Sequence, residues 1–521
     1  MKTAPEIQIV LVLFVLMLLC TLRSLAQFVD PREAKEYFKH RNYAAAIKVY
    51  NKLLKKEPNN ADYNYEAGVC YLRSNMDKSK ALPYLEKAVK LPKVDPDATF
   101  DLGLAYTYRL QFDKALKVFE KYKQMGSGSH QDIVDKRIAS CKTAKQLMRN
   151  PVDVSFENVG PKINTPYPDY YPFVAKDESF MVFTSRRAGN TGGNLEFDGF
   201  FSSDIWISHK DQTGKFGKAR NAGYLVNSEY DEQAVGLSDD ANTMFVYIDK
   251  IKEFGDIYQT NKGKRSFMKV EKMGEYVNSS SLETAASISA DGNTMFYASD
   301  KKDPAAKGNL DMYMTRKLPT GEWGLSQNIS QLNSDGNEDF PTLSADGQTL
   351  YFCSDGLPGM GGYDIFRSSW DVENNTWSKP ENLGYPLNTP LDERVISFSE
   401  DGIHAYMSAL RKEGVGDLDI YRVTYKDKLP QAILLLKLPS GKAEDPYLTD
   451  VFLTVNDLNG NQLGDYQPNL RSGTFTIILA PGTYNLNIEA EGYQLYDKNL
   501  VITPEDVKTG MINKEITLTP N

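Results

Sequence analysis

A hairpin recurring at a near-constant interval constrains this chain more than any other feature. The stretches "SISADGNTMFYASD" (287–300), "TLSADGQTLYFCSD" (342–355) and "SFSEDGIHAYMSAL" (397–410) each set two apolar-rich runs on either side of a polar turn carrying Asp-Gly. A tight turn needs positive φ, which Gly or Asn adopts at little cost, so each stretch predicts a β-hairpin. With two weaker copies included, the turn aspartates are Asp177, Asp240, Asp291, Asp346 and Asp401, spaced by 63, 51, 55 and 55 residues. Units at such a spacing bury their apolar faces against one another.

Two further signatures travel with the hairpin. One is an Asp-apolar-aromatic triplet at Asp204, Asp256, Asp311, Asp364 and Asp419; the other precedes each hairpin, as in "NAGYLVNSEYDE" (221–232) and "NLGYPLNTPLDE" (382–393). About four strands per unit of roughly 50 residues fits a blade of a β-propeller, whose closure removes exposed sheet edges. The fifth unit ends at "DIYRVTY" without its outer strand, whereas the region opens with an orphan equivalent, "VDVSFENVG" (152–160). Pairing of the two predicts a five-bladed ring over residues 151–428, with six blades as the alternative.

Upstream the apolar period is helical. Tyr37, Ala46, Tyr50, Leu53 and Pro58 fall where a tetratricopeptide repeat has its aromatic, small, packing and terminating positions. Gly68, Tyr71, Ala81, Ala88 and Pro92 repeat them, and Gly103, Tyr106, Ala115 and Phe119 do so again. Small residues are needed where paired helices approach, and Pro ends the second helix. Residues 27–150 therefore read as an α-helical tetratricopeptide solenoid, with a capping helix over 132–148. At the other end, residues 429–521 hold alternating strands separated by Gly, Pro and Asn, predicting a small Greek-key β-sandwich.

The first 26 residues resemble a signal peptide: Lys2, an apolar run from Ile9 to Leu22, and Ser24 and Ala26 at the small-residue positions of a cleavage site. The mature chain is then expected to begin at Gln27. A lipidated Cys20 and a retained anchor remain open, although about 14 apolar residues is short of the roughly 20 that span a bilayer. Cys70, Cys141 and Cys353 match no zinc or CxxC spacing and read as small buried hydrophobes. A net charge of -9 with interleaved signs supplies no basic face for nucleic acid.

The order of these parts, with "SGTFTIILAPGTYNLNIEAEGYQ" (472–494) similar to a carboxypeptidase regulatory-like domain and the hairpin repeats similar to TolB-type WD-like propellers, resembles the PorE group of Bacteroidetes envelope proteins. The resemblance covers almost the entire mature chain. It implies a periplasmic protein associated with the outer membrane and with type IX secretion and gliding, working beside PorP/SprF-like outer-membrane β-barrels. Such proteins usually carry an OmpA-like domain that grips peptidoglycan. No OmpA-type ligand motif stands in this sequence, so peptidoglycan binding is not expected of it.

There is no G-x-S-x-G elbow, no HExxH and no Walker lysine motif, and His40, His130, His209 and His404 are scattered. The repeated hairpin aspartates read as turn residues bonding local backbone, since five dispersed turns cannot converge on one ion. No cofactor and no metal are expected. The candidate binding surface is the concave side of the helical repeats: Lys35 and Lys39, Tyr65 and Arg73, then Phe100 and Tyr108 with Arg109 beside them. Aromatic and basic groups together suit an extended acidic or C-terminal peptide. The expected function is a non-catalytic scaffold for protein partners; the alternative is a glycan-binding or carbohydrate-processing accessory.

Overall fold

The computed structural model describes residues 30–250, 255–264, 266–372, 374–441, 446–470 and 472–521. The first 26 residues, expected from sequence to be a signal peptide and including Cys20, and Gln27 lie outside them. The chain divides into two compact units. One runs to Val134 and takes in Phe197–Gly199; the other holds Asp135–Glu196 and Phe200–Asn521.

The first unit is a helical region of tetratricopeptide type. Its helices are Pro31–Lys39, Tyr43–Lys56, Ala61–Arg73, Ala81–Ala88, Asp97–Tyr108 and Phe112–Met125. Side chains of Asp30, Asn42 and Asn60 cap three of the N-termini by accepting backbone N–H bonds, the usual role of Asx residues there. Where the pattern demands small residues the helices are in contact: a Cβ on Gly68 would lie 2.6 Å from Leu85 Cγ, and one on Gly103 would lie 2.4 Å from Phe119 Cε1. Ala46, Ala81, Ala88 and Ala115 are fully buried. The helix Val134–Leu147, read from sequence as a cap on the repeats, falls almost wholly in the second unit.

The second unit is a large β-rich region of propeller type. Four of its sheets run in chain order from a first to a fourth strand, as in Asp169–Val174, Phe180–Ser185, Asp204–His209 and Arg220–Asn221. The next three sheets begin at Asp231–Leu237, Glu283–Ile288 and Glu338–Leu343. In the fifth, Ile396–Phe398, His404–Ala409 and Asp419–Tyr425 are joined by Val154–Asn158, whose register pairs Val154 with Tyr425 and Asn158 with Tyr421. The orphan strand thus completes the last sheet. One backbone bond links each sheet to the next: the amides of Glu232, Glu283, Glu338 and Glu393 donate to the carbonyls of Ser203, Gly255, Leu310 and Tyr363, and Asp169 donates to Leu418 of the fifth sheet.

Strands pressed between neighbouring sheets are buried on both faces, and Phe180–Ser185 is buried at every position. The C-terminal strands alternate instead. Thr474–Leu479 buries every second residue, because only one of its faces meets a core. There, Ala432–Lys437 pairs with Thr474–Leu479 antiparallel and with Met511–Glu515 parallel. A second sheet, with Val451–Asp457 and Gly482–Ala490 at its centre, shares a core with it through Leu434, Leu436, Leu453, Phe475 and Ile488.

Candidate functional site

The surface selected from sequence lies on the helices Pro31–Lys39, Ala61–Arg73 and Asp97–Tyr108. Lys35, Lys39, Arg73 and Arg109 are exposed, and Tyr65 and Tyr108 are half-buried. The Arg73 guanidinium stands 5.8 Å from the centre of the Phe38 ring, and the Lys78 ammonium 5.6 Å from that of Tyr108. Tyr65 donates to Asp101 Oδ2 at 3.1 Å, tying the second repeat to the third. Burial pushes the Asp101 carboxyl up to about 6, against the Tyr65 hydrogen bond and the Arg73 charge, which favour its ionised form. Burial likewise raises Glu66, opposed by the Tyr50 hydrogen bond and the Lys35 charge. The cations of this face are exposed, while Asp101 beside Tyr65 is buried.

Phe100 corrects the sequence reading. It is 2% exposed and offers no surface to a ligand. Its ring packs 5.5 Å from Phe119, 5.3 Å from Tyr122 and 4.5 Å from His130. The segment after the last helix of this unit folds back to cover it: the Ser129 amide donates to Asp97 Oδ1 at 2.9 Å and the His130 amide to the Tyr122 hydroxyl at 2.9 Å. A repeat template cannot register such a turn, because it belongs to no repeat. Among the seven predicted residues, Tyr65 and Arg73 are brought together around Asp101, which the sequence reading did not select.

The recurring polar residues of the β-rich unit are engaged in one repeated network. Asn164, Asn227, Asn278, Asn333 and Asn388 each accept from and donate to the backbone of one residue, respectively Ile420, Ile205, Ile257, Met312 and Ile365, at 2.8–3.0 Å. Five residues on, Asp169, Glu232, Glu283, Glu338 and Glu393 each accept from the amide and hydroxyl of Thr165, Ser228, Ser279, Ser334 and Thr389. The triplet aspartates Asp204, Asp311, Asp364 and Asp419 accept backbone N–H groups from the loops before them and side-chain amides from Asn221, Asn328, Asn382 and Asn158. At the hairpins, Asp240, Asp291 and Asp346 each accept a serine hydroxyl and a backbone amide.

Burial pushes Glu232 and Glu393 up to about 7, and such shifts elsewhere mark catalytic acids. Here the same bonds recur in five successive sheets, which is the mark of architecture. Among the described residues no group of three His, Cys, Asp or Glu is placed to hold a metal ion. Cys70, Cys141 and Cys353 are buried.

A tetratricopeptide-repeat family model matches residues 32–76. No curated protein matches the chain. Among solved structures, TolB from Acinetobacter baumannii is 18% identical over 49% of this chain and 54% of that one, with a TM-score of 0.32. The chain thus spans about half the length of that protein. A putative TolB from Agrobacterium tumefaciens is 15% identical over 63% of this chain and 97% of that one, with a TM-score of 0.31. A glycoside hydrolase is 9% identical over 55% of this chain and 95% of that one, with a TM-score of 0.37.

Proposed function

We propose that this chain is a non-catalytic periplasmic scaffold that binds outer-membrane proteins of the type IX secretion, gliding or surface-adhesin machinery. In this reading the five linked sheets are a five-bladed propeller and the C-terminal sheets a carboxypeptidase regulatory-like sandwich, both presenting surfaces and neither carrying chemistry. The observation that carries the proposal is the helical face on which Lys35, Lys39, Arg73 and Arg109 are exposed while Asp101 is buried. An extended acidic segment of a partner would run along that face, its carboxylates meeting guanidinium and ammonium groups and its side chains meeting Tyr65 and Tyr108.

The test is co-purification of a PorP/SprF-like outer-membrane barrel with the full chain and with a Lys39→Ala, Arg73→Ala, Arg109→Ala variant. Exposed charges contribute about 0.5–1 kcal/mol each, so the triple variant is expected to weaken capture roughly tenfold or more. Undiminished capture removes this face from the mechanism, and a chain that recovers glycans but no barrel refutes the scaffold reading.

A further inference from the structure

One cleft in the β-rich unit concentrates positive charge in an acidic chain. It lies between the first two sheets, has a volume of about 520 Å³, and is backed by the buried Phe180 and Phe267. His209, Lys218, Arg220, Lys262 and Lys264 line it, and among the described residues no aspartate or glutamate does. The chain as a whole carries 69 acidic residues against 60 lysines and arginines, so a lining of this kind runs against the average.

The four permanent cations come from two places. Lys218 and Arg220 flank the start of the outermost strand of the first sheet, Arg220–Asn221, and Lys262 and Lys264 follow the third strand of the second sheet, Asp256–Asn261. Among the described residues, none of the four stands within ion-pair distance of a carboxylate. The Lys262 ammonium is held 4.3 Å from the centre of the Phe180 ring, and the His209 ring lies 5.6 Å from the same ring. Burial and the charges of Lys262 and Arg220 depress the His209 imidazole below its ordinary range. The two charges act in the same direction as burial, which is the larger cause.

We infer that this cleft binds a phosphorylated ligand, with Lys218, Arg220, Lys262 and Lys264 holding phosphate oxygens. A carboxylate brings one charge, whereas a phosphate monoester brings close to two and three acceptor oxygens, and the guanidinium fork fits it with paired bonds. The volume suits a small molecule carrying more than one such group. The same chemistry is found on a soluble sugar phosphate and on a phospholipid headgroup. The inference stands on the cleft alone, independent of the helical face.

Calorimetric titration of the full chain with fructose 1,6-bisphosphate, and co-sedimentation with phosphatidylcholine vesicles with and without phosphatidic acid, separate the two sources. Binding in either arm that weakens with added salt, and that falls at least tenfold in a Lys218→Glu, Lys262→Glu variant, is the expected result. A Lys379→Glu, Lys412→Glu variant, altering exposed lysines elsewhere, should bind as the parent does. Circular dichroism checks folding, and Lys218→Gln with Lys262→Gln replaces the reversal should it unfold. No binding in either arm, equal loss in both variants, or equal affinity for succinate overturns the inference.

Discussion

Asn388 allows the repeated network to be weighed. Its side chain is fully buried; Oδ1 accepts from the Ile365 amide at 2.8 Å, and Nδ2 donates to the Ile365 carbonyl and to Asn382 Oδ1, both at 2.8 Å. Asn388→Ala leaves the buried Ile365 N–H without a partner, at about 1–3 kcal/mol, and removes one of two bonds to the Ile365 carbonyl, which keeps the Leu383 amide, at about 1 kcal/mol, so a loss of about 3 kcal/mol is expected. With a urea dependence of about 3 kcal/mol/M, the midpoint should fall by about 1 M. All four tryptophans, Trp206, Trp323, Trp370 and Trp377, lie in this region, so their fluorescence reports its unfolding. Asn333→Ala, which removes the equivalent bonds from another sheet, should cost the same within about 0.5 kcal/mol. A loss below about 1 kcal/mol, or no greater than that of Ala at the exposed Asn499, would refute the reasoning by showing that water replaces the amide.

Ala241 holds φ +54° at the turn position where the third, fourth and fifth sheets place Gly292, Gly347 and Gly402 at +71°, +73° and +67°. Ala241→Gly relieves that conformation and is expected to stabilise the region by about 0.5–1 kcal/mol, measured by the same unfolding curves. Burial raises the Glu232 carboxyl from 4.5 to about 7, so the folded chain holds this proton more tightly than the unfolded one. Its contribution is complete below 4.5 and is lost as pH rises towards 7; Glu232→Gln should flatten stability across that window in a pH series of urea midpoints.

The period of the hairpins and the orphan strand were legible because each copy must place Gly, Asp and Asn at fixed offsets to make the same bonds. Even the strand before the first unit carries Asn158, which donates to Asp419 across the chain at 3.0 Å and so betrays its partner. Phe100 was misread for the opposite reason. What buries it is a single segment near Ser129 and His130 that has no counterpart in the other repeats. Burial of Asp101 was equally hidden, since a carboxylate on a helix ordinarily faces water. The basic cleft was beyond reach too: Lys218 and Lys262 are ordinary surface lysines in sequence, and only the adjacency of two sheets makes them neighbours.

The clasp formed by Val154–Asn158 and Asp419–Tyr425 also sets a timetable. A chain emerging from its N-terminus must keep the first of these strands unsatisfied until the last hairpin has appeared, because no nearer segment offers its register. Contacts so distant in sequence slow folding and leave an open edge exposed meanwhile. Rejoining the chain so that Val154–Asn158 directly follows Tyr425 would turn this distant closure into a local one while keeping the strand register, and the delay between synthesis and completion would shorten.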